Sequence, residues 1–235
     1  MSTTTPEWGT TLFEGEQLRD EIQVLLDSAC PDRALLSSVG GALRASVDDP
    51  SSEYHRYIDP DAFWYGVAWP RCEATTQRCA TLVDQWAQDV GKEIEVQEQV
   101  LADRASIVGF EAVGGEVGRS ELVDEVVTRC EALHEAIEAA GAFDLNTVAV
   151  DRIAAQFDQY LTRDGGAGAE DLRSTLPWRH QELLILAHRQ AAEIIGQRRD
   201  QHLVALVARI MPIGEAAVEV FDAAMERSGS VPSQL

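Results

Sequence analysis

Residues 83–108, VDQWAQDVGKEIEVQEQVLADRASIV, decide the fold class. Ala87, Ile94, Leu101 and Val108 recur every seven residues, and Val83 and Val90 flank them in a second series. Seven residues are almost two turns of an α-helix, so both series fall along one face. Gln97 and Arg104 continue the second series but are polar. The spacing therefore predicts a helix over residues 70–110, with a flawed coiled-coil-like seam suited to a bundle. No stretch of the chain alternates apolar and polar residues, as a strand would, for more than a few positions.

Working outward from this helix, the same periodicity recurs. Leu18, Ile22, Leu25 and Leu26 share a face of a helix expected over residues 15–30. Pro31 suits the first turn of the next helix, which carries Leu35, Leu36, Val39, Ala42 and Leu43 and stops near Asp48, Asp49 and Pro50. On the other side, glycines 114, 115 and 118 break the central helix. Ser120 is a fitting cap for another, ended by Gly141. A further helix starts at Asp144 or Asn146 and reaches about residue 161. Residues 177–211 are rich in Leu, Ile and Val, interrupted by the all-polar run 197–202. Either one long helix passes through that run, or Gly196 ends one helix and Asp200 caps the next. A final helix is expected after Pro212.

The expected fold is all-α, seven to nine helices, in one elongated bundle or two loosely divided ones. Residues 1–14 form a flexible amino-terminal segment and 15–163 an acidic helical bundle. The Gly-rich loop 164–168 then leads into a carboxy-terminal helical region, 169–235. That loop lacks the lysine and Ser/Thr of a phosphate loop, so it reads as a connection.

Forty acids face nineteen bases, giving a net charge of −21, and Lys92 is the sole lysine. Such a field repels phosphate backbones and argues against nucleic acid as a partner. The acids are spread along the chain and not gathered into a tail, which fits a salt-adapted cytoplasmic protein. Cys30, Cys72, Cys79 and Cys130 show no Cys-x-x-Cys or zinc-ligand spacing and read as buried free thiols. Residues 1–15 carry no basic residue and no apolar stretch of the signal-peptide kind. Nothing approaches the length of a membrane span, so no membrane partner is expected.

Six of the fifteen aromatic residues lie within positions 54–69, framed by Pro60 and Pro70. Large aromatics at this density fill a core between helical layers, or form an interaction patch through Tyr57, Trp64 and Trp69.

Two pairs of acids bear on chemistry. Glu95 and Glu98 form Glu-x-x-Glu, followed after 22 residues by Glu-x-x-Asp at Glu121 and Asp124. This arrangement resembles the metal-binding pattern of the all-α (MazG-like) nucleotide pyrophosphatases. The resemblance covers about 30 residues and implies Mg²⁺ held by carboxylates from two facing helices. The doubled acid expected in the family's first motif is Ile94-Glu95 here. On a helical projection, Leu122, Val126, Cys130, Leu133 and Ile137 form the apolar face, and Glu121 and Asp124 fall opposite it. Glu131 and His134 make one Glu-x-x-His, but a di-iron bundle needs a second, and none exists. Asp48, Asp49 and Glu53 lack a second acidic motif. No Gly-x-Ser-x-Gly, Walker or dinucleotide fingerprint is present.

Charge is asymmetric along the chain. Residues 1–172 carry 12 bases and 33 acids, whereas residues 173–209 carry six arginines against three acids, and three of the five histidines. Arg189, Arg198, Arg199 and His202 are the residues expected to meet a partner there, either another protein or an identical subunit. The expectation is thus a non-enzymatic helical interaction or assembly protein needing no cofactor. The alternative is the Mg²⁺-dependent pyrophosphatase.

Overall fold

The computed structural model describes residues 9–31, 33–48, 59–108, 116–142, 144–145, 151 and 178–229. It is all-α, with no strand among the described residues. Helix α1 is Gly9–Ala29, α2 is Arg33–Asp48 and α3 is the single turn Pro60–Phe63. A π-turn, Trp64–Ala68, joins α3 without a break to α4, Trp69–Val108. Helix α5 is Glu116–Gly141 and α6 is Trp178–Gly229.

With α3, the π-turn and α4 counted as one continuous helix, five helices stand among the described residues, where the sequence suggested seven to nine. Part of the difference lies in α6. It runs 52 residues through Gly196 and Asp200, the continuous one of the two alternatives the sequence left open there, and through Pro212, after which a separate helix was expected. A proline inside a helix removes one hydrogen bond and crowds the preceding turn. Pro212 is exposed, so the freed carbonyl meets water and the helix continues. The helix expected between residues 144 and 161 and the loop 164–168 fall almost wholly outside the described residues, as do Tyr54 and Tyr57.

Local chemistry explains the start of the central helix. The Asp59 carboxylate accepts from the Asp61 N–H at 2.9 Å, and Pro60 follows at the first helical position. This is a capped N-terminus with its orphan donor satisfied. The Trp69 N–H then reaches back five residues to the Trp64 carbonyl, which widens the winding and makes the π-turn.

The chain groups into two compact units. The first takes the described residues within 1–19, 83–142 and 199–235, and the second those within 20–82 and 143–198. Three of the four dividing points fall inside α1, α4 and α6, and the fourth follows the end of α5.

The first unit is cored by Val83, Val90 and Ile94 of α4, Leu133 and Ile137 of α5, and Leu206, Ile210 and Ile213 of α6, all buried. Each large side chain so placed contributes on the order of 1.5–3 kcal/mol of transfer free energy. A methyl group at position 15 would run into the Ala136 carbonyl oxygen, so Gly15 is what lets α1 lie against α5. His202 of α6 meets Asp84 of α4, and Arg209 meets Glu95 and Glu98. Residue numbers rise together along both helices, so α4 and α6 run parallel in this unit.

The second unit is built on Cys30, Val39, Phe63, Ala68, Cys72, Leu184, Ala187 and Ala191. Phe63 is fully buried and meets the His180 ring edge-on, with centroids 4.6 Å apart. Leu35, Trp64 and Trp69 pack against this cluster half-buried. The aromatic segment is therefore in part a core plug.

Candidate functional site

Helix α6 carries four of the residues singled out in the sequence, and its burial pattern sorts them. Arg189 and Arg198 are exposed. Arg199, the next residue, turns inward to 8% exposure, with its guanidinium 2.9 Å from the Asp200 carboxylate. Successive helical residues point about 100° apart, so the two arginines cannot present one outward fork. His202 is half-buried, its Nε2 2.9 Å from Oδ1 of Asp84. A carboxylate only accepts hydrogen bonds, so Nε2 carries the proton. The all-polar run 197–202 is thus not polar on every side in its setting. One arginine is tucked in by its aliphatic stem, one histidine is tied to α4, and the rest face solvent.

Beyond this polar seam, α6 shows exposed apolar side chains the sequence reading did not pick out. Leu186, Val204 and Met211 are 49%, 71% and 53% exposed. Leu186 lies in the second unit, whereas Val204 and Met211 lie in the first, seven residues apart and about 20° off one line of the helix. Projecting residues 199–211 at about 100° per residue would have found this pair in the sequence.

The acidic pair on α4 is drawn to a base. Nη2 of Arg209 lies 3.4 Å from Glu98 and 3.8 Å from Glu95. Both carboxylates are exposed, Glu95 more than Glu98, and the same guanidinium lies beside Gly91 of α4. Glu121 and Asp124 lie on α5, and their side chains are outside the described part of the structure. Among the described residues no group of three or more His, Cys, Asp or Glu is placed to hold a metal ion.

Two buried polar side chains complete the inventory. Gln97, the polar intrusion in the heptad series, is fully buried in the first unit, and neither amide atom has a hydrogen-bond partner among the described residues. His188 is buried in the second unit, and neither ring nitrogen has a hydrogen-bond partner among the described residues. Burial pushes its pKa below the usual 6.5, and the Arg71 charge pushes the same way. The Ala29 backbone pulls in the opposite direction but stands outside hydrogen-bonding geometry. All four cysteines are free and buried. Burial raises Cys30, Cys72 and Cys79 to about 11, so these thiols are protonated and unreactive at neutral pH.

The aromatic pair expected to meet a partner is brought together. Trp64 and Trp69 stack across the π-turn, with centroids 6.0 Å apart and planes 11° from parallel. Tyr65 stands beside them at 73% exposure.

Among the described residues no helix is long and apolar enough to cross a membrane. No protein-family model, curated protein or solved structure matches the chain.

Proposed function

We propose that this chain is a non-enzymatic helical assembly protein that associates through the outer face of α6, with an identical subunit as its partner. The observation that carries this reading is the pair Val204 and Met211 of the first unit, 71% and 53% exposed and seven residues apart on α6. Apolar side chains at this spacing suit a second helix laid alongside. Arg189, exposed on the same helix, supplies a charge for the carboxylates of a neighbour with a net charge of −21, while Arg198, nine residues on, points to the opposite side of the helix.

The test is co-expression of a tagged and an untagged copy. The untagged copy is expected to be retained with the tagged one, and to be lost when both carry Val204→Glu and Met211→Glu. Retention of the doubly substituted copy would remove the assigned face. The Mg²⁺-dependent pyrophosphatase reading draws no comparable support, since Glu95 and Glu98 engage Arg209.

A further inference from the structure

We infer that the π-turn in the second unit builds a receptor for arginine side chains of a basic partner protein. The receptor is the stripe Asp61, Tyr65, Trp69 and Glu73, backed by Trp64. This inference rests on reading the chain as an interaction protein but uses a different surface from α6.

The π-turn creates the alignment. Over the twelve steps from 61 to 73, a plain α-helix rotates about 120° beyond three full turns, which would carry Glu73 around the cylinder from Asp61. Five residues wound at about 4.4 per turn remove roughly 90° of that rotation. Asp61, Tyr65 and Glu73 are accordingly all exposed, and Trp69 is half-buried between them. The Trp64–Trp69 stack is anchored on the core cluster, so the aromatic floor is rigid before any partner arrives. Gly66 leaves the space next to Tyr65 open, with nothing within 4 Å of where a side chain would begin.

Charge selects the occupant. Aromatic faces flanked by carboxylates attract a cation, and a planar guanidinium both stacks on the rings and donates to the acids. The same stretch carries two arginines, Arg71, whose charge is felt by buried Cys30, Cys72 and His188, and Arg78, whose charge is felt by buried Cys79. Asp59 is committed to capping the helix. At longer range, the net charge of −21 draws basic partners.

The test compares two short peptides by calorimetry, one carrying two arginines and one carrying two lysines in their place. The intact protein is expected to bind the arginine peptide about fivefold more tightly than the lysine peptide. Tyr65→Ala should remove that preference, and Asp61→Asn with Glu73→Gln should weaken both peptides. Equal binding of the two peptides, or a preference untouched by Tyr65→Ala, would overturn the proposal. Light scattering of Tyr65→Ala supplies the remaining control. A drop in mass relative to wild type would mean that the stripe is filled by another copy of this chain, which also overturns it. If instead the α6 face fails its own test, the arginine preference is expected to persist.

Discussion

Nε2 of His202 lies 2.9 Å from Oδ1 of Asp84, joining α6 to α4 across 118 residues of sequence within the first unit. Both side chains are more than a third exposed, so solvent screens much of the attraction. His202→Ala and Asp84→Ala should each cost about 0.5 kcal/mol, lowering the melting temperature by roughly 1–2 °C. A double-mutant cycle should return a coupling of similar size. Additive losses would mean that the pair contributes nothing jointly.

Gln97 offers a larger effect of opposite sign. A fully buried amide without a hydrogen-bond partner carries a desolvation cost of about 1–3 kcal/mol. Gln97→Met keeps the length and removes the polar atoms, so it should stabilise the protein by that order. Urea unfolding would show a higher midpoint at unchanged slope. A lower midpoint would mean that the amide is satisfied in solution.

These two positions show what could be read from sequence. Val83, Val90 and Ile94 announced the buried face of α4, and Gln97 was visible as an intrusion, though periodicity alone cannot tell a buried amide from an exposed one. The inner face of α1 was equally legible, with Leu18, Ile22 and Leu26 all buried. Continuity of α6 was legible only as one of two alternatives across 196–202 and was missed at Pro212, because Gly and Pro signal breaks by local propensity while tertiary packing decides the outcome. Arg199 was read as outward because its charge hides how much apolar stem it can bury. The π-turn has no sequence signal beyond the crowding of aromatics around Gly66.

Acid should weaken the second unit through His188. Its folded pKa lies below the unfolded 6.5, so the neutral form is favoured in the fold. The stability tied to this group is present in full above pH 6.5, and is lost as pH falls through 6.5 toward the folded value. His188→Leu should therefore flatten the pH dependence between about pH 7.5 and 5.5. Relief of repulsion among the carboxylates acts in the opposite sense in both proteins, so the difference between them isolates the histidine. Parallel curves would show that His188 does not titrate differently on folding.

Salt should stabilise the fold. With a net charge of −21, mutual repulsion among carboxylates is strongest where the Debye length is long. Raising KCl from about 0.05 M to about 2 M should lift the melting temperature by roughly 5 °C or more, most of it below about 0.5 M. A flat response would show that the acids are spaced widely enough not to oppose folding. Comparing salts of equal ionic strength separates screening from ion-specific hydration.

Static light scattering of the wild-type chain at near-physiological salt, beside Val204→Glu with Met211→Glu, is the most direct test of assembly through α6. Arg189→Glu is the companion variant, since Arg198 points to the opposite side of α6 and Arg199 is buried, so that its replacement would disturb the fold. The wild type should scatter as a multiple of 25.7 kDa, and the apolar-face variant as a monomer with unchanged helical circular dichroism. The arginine variant should fall between them, with its deficit shrinking as salt rises. A wild-type mass of a single chain at all concentrations, or an apolar-face variant that assembles as the wild type does, would contradict the account.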